Sequence, residues 1–259
     1  MRRSIVSVLL LVIAGSPAFA LSDKPYTTLE QIDGVVLLPP APSPDSAVQK
    51  QDLAAVLATQ KSRTPELIKR AETDRDFQGF ATVLGSQFTI AAIPTTAAFI
   101  RKVTGETSAM VDRVKDCWQR PRPFIFSKDV QPADDAGQNM MTKPGAVVKN
   151  DAPHDAGSPC KAAETPIASY SYPSGAANNG MTAGILLAQM IPEKRREIFA
   201  RAWEYGENRI ILGIHFPSDI EAGRINATAM IAVMMQNPAF RTDLAAARTE
   251  VRGVLGLTQ

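Results

Sequence analysis

An all-α fold, a single-domain helical bundle, is predicted by three features of the chain. No run alternates apolar and polar residues with a period of 2 over five residues or more, so strands find no support. Capping residues and prolines recur at helical intervals, as in Thr64-Pro65-Glu66, Pro192, Pro217 and Asn237-Pro238. Aromatics are sparse at 6%, and Ala and Met fill in, which suits packed helices better than a β-sandwich.

The elements follow in order. Residues 21–45 are Pro-rich (Pro39-Pro40-Ala41-Pro42-Ser43-Pro44) and are expected to wrap the surface without regular structure. Asp45 or Ser46 caps a helix to about Lys61, and Thr64-Pro65 opens the next. Gly79 to Val103 reads as one or two packed helices. Glu106 to Trp118 continues them until Pro121 and Pro123. Periodicity is lost over residues 127–168, a stretch long enough to be a lid or binding loop. Helices then return at Ala176–Ile191, from Pro192 to about Asn208, after Pro217 and after Asn237-Pro238.

The first 20 residues read as a signal peptide. Arg2 and Arg3 precede an apolar run from Ser4 to Gly15, too short to span a bilayer comfortably, and Ala18-Phe19-Ala20 offers a small-x-small cleavage site. Cleavage after Ala20 would send the protein to the periplasm or outside the cell; the alternative is an uncleaved anchor. The remaining domain then runs over residues 46–259, after the 21–45 segment. No later window is apolar enough for stable membrane insertion. Arg2 and Arg3 are two of the 28 basic residues. Their removal brings bases level with the 26 acids and lowers the net charge from +2 to zero. No basic run stands out, so a nucleic-acid polymer is not an indicated partner.

With 45% hydrophobic and 21% charged residues the composition is that of an ordinary globular protein. Two histidines (His154, His215) and two cysteines (Cys117, Cys160) in the whole sequence argue against a structural zinc site, and no metal is assigned. In an oxidising compartment Cys117 and Cys160 are candidates for a disulfide closing a loop of about 44 residues, worth about 3–4 kcal/mol on the chain-entropy model. The alternative is two reduced thiols.

Three clusters carry chemistry. The first is Lys115-Asp-Cys-Trp-Gln-Arg120-Pro-Arg122-Pro123, where a point charge and planar forks suit phosphate oxygens. The second is Ser171-Tyr172-Pro173-Ser174-Gly175-Ala176, directly before a helix whose first N–H groups lack partners and attract anions. The third is Asn208-Arg209-Ile-Ile-Leu-Gly-Ile-His215-Phe-Pro-Ser-Asp219, where a carboxylate four residues on can hold one imidazole nitrogen and leave the other to attack. Taken singly, each has a plain structural reading: a solvated helix end, a cap, a core histidine. Trp118, Phe124, Tyr170 and Tyr172 flank the clusters, either as core or as stacking groups.

The order Lys-x6-Arg-Pro, Pro-Ser-Gly, Arg-x5-His-x3-Asp resembles the signature of the class A bacterial non-specific acid phosphatases, within the type-2 phosphatidic acid phosphatase and vanadium haloperoxidase superfamily. Arg120-Pro121-Arg122-Pro123-Phe124, Ser218 to Arg224 and Asn237 to Phe240 extend the likeness, over about residues 25–255. The resemblance implies an acid phosphatase helical bundle without a cofactor, acting on small phosphate monoesters. His215 would be the nucleophile, forming a phosphohistidine, and Asp219 its orienting partner. Lys115, Arg122, Ser174, Gly175 and Arg209 would bind phosphate. A homo-oligomer is common among such enzymes, but nothing in the sequence identifies an interface.

One position departs from that signature. Ala176 stands where the family has the histidine that protonates the leaving group, which implies impaired turnover. Three accounts stand side by side: a substitution made to trap the site, a natural loss, or a proton supplied from elsewhere, with His154 the other histidine available. Asn208 stands where Ser is common and would still reach a phosphate. The alternatives in function are a non-catalytic phosphate-binding protein and a vanadate-dependent haloperoxidase. For the latter the chain is short and lacks the second site histidine.

Overall fold

The computed structural model describes residues 20–74, 76–133, 160 and 170–258. The leader up to residue 19, His154 and most of the 127–168 stretch lie outside the described residues. The described residues form helices and turns, without strands. The helices are α1 (Gly34–Leu37), α2 (Ala47–Ser62), α3 (Pro65–Glu72), α4 (Ala81–Leu84), α5 (Pro94–Trp118), α6 (Pro123–Phe126), α7 (Gly175–Met190), α8 (Arg195–Ile211), α9 (Pro217–Met234) and α10 (Pro238–Val254).

Local chemistry explains most of the boundaries. Ser46, Thr64, Ser174 and Asn237 each accept a backbone N–H in the first turn of the helix they precede. Pro65, Pro94, Pro123, Pro217 and Pro238 occupy first-turn positions, where the missing N–H costs nothing. Of the one or two helices expected from Gly79 to Val103, two form, divided by turns. A 3-10 turn and α4 end at Gly85, whose φ of 98° suits glycine, and turns carry the chain to Pro94.

Helix α7 is the hub, packed against α5, α8 and α9, with α10 covering α5 and α7. It is apolar nearly all round and rich in Ala and Gly, as a central helix must be. At Gly180 a Cβ would lie 2.4 Å from the Tyr205 Cβ, so α8 sits closer than any other residue would allow. Buried amides set the register. Asn178 donates to Thr107 Oγ1 on α5 (2.9 Å), and Asn226 on α9 donates to Asn178 Oδ1 (2.8 Å).

The N-terminal segment corrects an expectation. It does not merely wrap the surface: Tyr26 is 2% exposed, edge-on to Phe99 and Phe240. Its hydroxyl donates to Asp243 Oδ2 on α10 (2.5 Å). An apolar ring with a satisfied hydroxyl is a stable way to bury tyrosine. Among the described residues no helix is long and apolar enough to cross a membrane. Tyr26→Ala should therefore destabilise the protein by about 3–5 kcal/mol in urea unfolding, as expected for loss of a core aromatic. A change of less than about 0.5 kcal/mol, typical of a surface position, would show that the segment only drapes the bundle.

Candidate active site

The site forms where three chain segments converge: the end of α5 with the link to α6, the N-terminus of α7, and the turn between α8 and α9. Helix α5 stops at Trp118, Gln119 turns left-handed (φ 50°), and Arg120-Pro121-Arg122-Pro123 runs beneath the α8–α9 turn. Prolines on both sides of Arg122 keep its backbone extended and fix its direction. The Ser171 N–H bonds the Arg120 carbonyl (2.8 Å), and the Ser174 N–H bonds the Asp219 carbonyl (2.8 Å). The three segments are thus tied by backbone before any side chain is considered.

His215 is 3% exposed and held at both nitrogens. Arg122 Nη1 lies 3.1 Å from Nε2 and also donates to the Ile214 carbonyl (2.8 Å). A guanidinium can only donate, so Nε2 is the bare nitrogen and Nδ1 carries the hydrogen. Nδ1 faces Asp219 Oδ2 at 3.4 Å, with Ser171 Oγ also at 3.4 Å. The tautomer is therefore the one that leaves the lone pair on Nε2, where Arg122 meets it.

Asp219 is fully buried, and its carboxylate is well satisfied. Oδ1 accepts from Arg120 Nη1 (2.6 Å), and Oδ2 accepts from Ser171 Oγ (2.5 Å) and the Phe216 N–H (2.8 Å). Burial works to raise its pKa, but hydrogen bonding to His215 and the charge of Arg120 outweigh it and hold the carboxyl below its ordinary value. His215 is lowered too, to about 3, by burial first and then by the Arg122 charge, despite the opposing pull of Asp219. An imidazole in this setting stays neutral, and so nucleophilic, at mildly acidic pH. Lys115, in the last turn of α5, is lowered to about 8, chiefly by burial and then by Arg122.

Ser174 caps α7 by accepting from the Ala177 N–H (3.3 Å); capping uses an oxygen lone pair, so its O–H can still be donated. Gly175, Ala176 and Arg209 line one cavity of about 720 Å³, along with Ser108, Asp112 and Asn179. Arg209 closes α8 and donates from Nη2 to the Ala71 carbonyl. The structure thus brings Lys115, Arg122, His215 and Asp219 into one electrostatic cluster, while Gly175, Ala176 and Arg209 line the cavity and buried Ser174 caps α7. Cys117 and Cys160 form a disulfide beside this end of α5.

Other flanking residues lie away from the cluster. Asn208 does not face the cluster, because its amide donates to Asp74 Oδ2 (2.5 Å), a carboxylate also held by Arg201. Phe124, Tyr170 and Tyr172 are buried as core; the aromatics lining the cavity are Phe77 and Tyr205. Arg120 and Ser171 stand inside the two recognised clusters, yet their direct hold on Asp219 was not read from them. Both lie at short offsets from phosphate-clamp positions, which was the available signal.

Two outcomes follow. A Cβ at Gly223 would lie 2.4 Å from the Ser174 carbonyl oxygen and 3.1 Å from the Asn178 nitrogen, both backbone atoms. Gly223→Ala should push the start of α7 off the site and weaken inorganic phosphate binding by about tenfold or more by calorimetry, as misplacement of about 1 Å commonly does. Lys115 is charged below about pH 8 and loses its charge above it. Phosphate affinity should then fall by up to about tenfold per pH unit above that point, and Lys115→Arg, always protonated, should abolish the fall.

Comparison with known proteins matches this architecture to a family. The profile of the PAP2 superfamily matches residues 88–243, which include α5 to α9 and every residue of the cluster. The non-specific acid phosphatase of Providencia stuartii is 26% identical over 228 residues, 85% of this chain and 82% of that protein. The acid phosphatase of Zymomonas mobilis is 27% identical over 225 residues, 85% and 75% of the two chains. The non-specific acid phosphatase of Salmonella typhimurium is 25% identical over 258 residues, 96% and 92% of the two. A transmembrane PAP2 type phosphatidylglycerolphosphate phosphatase from Bacillus subtilis superposes with a TM-score of 0.43 at 19% identity, over 73% of this chain and 85% of that one. With the family profile spanning more than half of the sequence and enclosing the buried histidine and its cations, the chain belongs to the PAP2 superfamily.

Proposed function

We propose that this protein is an exported acid phosphatase that hydrolyses small phosphate monoesters through a phosphohistidine at His215. The observation that carries the reading is the pair of contacts on one ring: Arg122 at Nε2 and Asp219 at Nδ1. They give a neutral imidazole whose bare nitrogen stands among phosphate-binding cations.

The chemistry runs in two displacements. Nε2 attacks phosphorus, the N–P bond forms, and the bond to the leaving oxygen breaks. Asp219 stabilises the positive charge that develops on the ring. Lys115, Arg122 and Arg209, with the Ser174 hydroxyl and the Gly175 N–H, meet the charge on the equatorial oxygens. Water then attacks the phosphohistidine, releasing phosphate and restoring neutral His215. The Cys117–Cys160 disulfide supports an oxidising destination, in line with the leader.

The leaving oxygen departs toward the cavity lined by Ala176. A methyl group donates no proton, so esters with basic alkoxide leaving groups should suffer most. Loss of a general acid costs about 10²–10⁴-fold, least for leaving groups already stable as anions.

The test compares this chain with its Ala176→His variant on an alkyl and an aryl monophosphate at mildly acidic pH. The expected result is a gain for the alkyl ester of about 10²-fold or more and a much smaller gain for the aryl ester. Equal gains on both would refute the missing-acid reading. An inert chain whose variant is also inert, yet which binds phosphate, would establish a binding protein. A chain already fast on alkyl esters would mean that another group, His154 or the Asp112 carboxyl in the cavity, supplies the proton.

A further inference from the structure

Arg120 is 4% exposed, and its guanidinium is committed on every side. Nη1 donates to Asp219 Oδ1 (2.6 Å) and Ser218 Oγ (2.7 Å). Nη2 donates to Gln49 Oε1 (2.6 Å) and Asp52 Oδ2 (2.7 Å), and Nε to Gln49 Oε1 (3.2 Å). The plane lies over the Phe216 ring, 4.2 Å from its centroid. Asp52 also takes the Ser218 N–H (3.2 Å) and the Ser218 hydroxyl. Gln49 and Asp52 are 2% and 5% exposed, one helical turn apart on the same face of α2.

This cluster is more than a packing device. Arg120 does not line the cavity that holds Ala176 and Arg209, and its charge is spent on two buried carboxylates of opposite sides. One of them, Asp219, is the partner of His215. A planar fork with donors on both edges is the group that can fix two carboxylates at a set separation; a lysine cannot. Helix α2 lies outside residues 88–243, the span matched by the family profile, yet it supplies the far half of this clamp.

We propose that Arg120 is a positioning residue for the His215–Asp219 pair and that Gln49 and Asp52 of α2 hold it there, so that α2 is part of the catalytic apparatus. The proposal rests on the phosphatase reading for its kinetic consequences, not for its geometry. Asp219 sits where its Oδ2 can meet Nδ1 only while Oδ1 is held from behind. Without that hold the carboxylate is free to turn, and the imidazole loses the partner that keeps its hydrogen on Nδ1.

The charged and titratable groups facing the pair are Lys115 from α5, Arg120 and Arg122 from the α5–α6 link, Asp52 from α2 and Tyr172 from the segment before α7. Removing Arg120 alone leaves the other cations in place. The proton affinity of Asp219 should then rise, because a cation that lowers it has been withdrawn.

The experiment uses Arg120→Gln on the full chain, with an aryl monophosphate whose cleavage needs no added proton. The acid limb of the pH profile of kcat/KM should move up by about one unit or more, with kcat falling about tenfold or more. Inhibition by inorganic phosphate should stay within about threefold, because the clamp is untouched. An unmoved limb, or phosphate affinity lost in step with kcat, would overturn the proposal. If Arg120→Gln does not fold, Asp52→Asn, which keeps the volume, carries the test: kcat should fall with phosphate affinity intact, and wild-type kcat and pH profile would overturn it. If the parent chain proves inert on every ester, the phosphatase reading fails and nitrogen NMR of His215 decides, with His154 removed as His154→Gln to leave one ring. A pure Nδ1–H tautomer in the parent that becomes mixed in Arg120→Gln supports positioning; the same tautomer in both overturns it.

Discussion

One buried carboxylate organises this end of the molecule. Asp219 has no exposure to solvent, so every lone pair must find a donor within the protein or the charge could not be kept there. The donors come from three different segments: Arg120 after α5, Ser171 before α7, and His215 with Phe216 before α9. Its own backbone carbonyl accepts the Ser174 N–H and so fixes the start of α7. Satisfying this one group therefore places the nucleophile, the helix N-terminus and the arginine loop at once.

The rest of the bundle can be read as what allows that convergence. Helix α7 must approach α8 and α9 closely enough for its first turn to meet the α8–α9 turn. Gly180 and Gly223 permit the approach where any side chain would collide with Tyr205 or Ser174. The Thr107–Asn178–Asn226 bonds then set the sliding register of α5, α7 and α9. Electrostatics complete the design: burial, and then the neighbouring cations, depress the proton affinity of the histidine and keep it neutral, while the carboxylate behind it is ready to stabilise the charge of the reacting ring.

Features governed by local chemistry were legible from the sequence. Caps at Ser46, Thr64 and Asn237 and prolines at first-turn positions act within a few residues, so helix starts could be read directly. That Gly79 to Val103 could hold two helices was legible, but not the place of the break at Gly85, because its apolar pattern can be buried by a helix or by a series of turns. The insertion of Tyr26 between Phe99 and Phe240 depends on partners far along the chain, which composition does not reveal. The same holds within the site. His215 and Asp219 are four residues apart and could be paired on paper. Arg120 meets Asp52 across 68 residues, and Asn208 turns to Asp74 across 134.

The central claim is that His215 Nε2 takes the phosphoryl group. Rapid quenching after mixing with a labelled aryl monophosphate tests it most directly. The expected product is an acid-labile, base-stable label that peptide mapping assigns to His215, absent from His215→Ala, forming before phosphate is released. Turnover with no such label, or label on another residue, would contradict it.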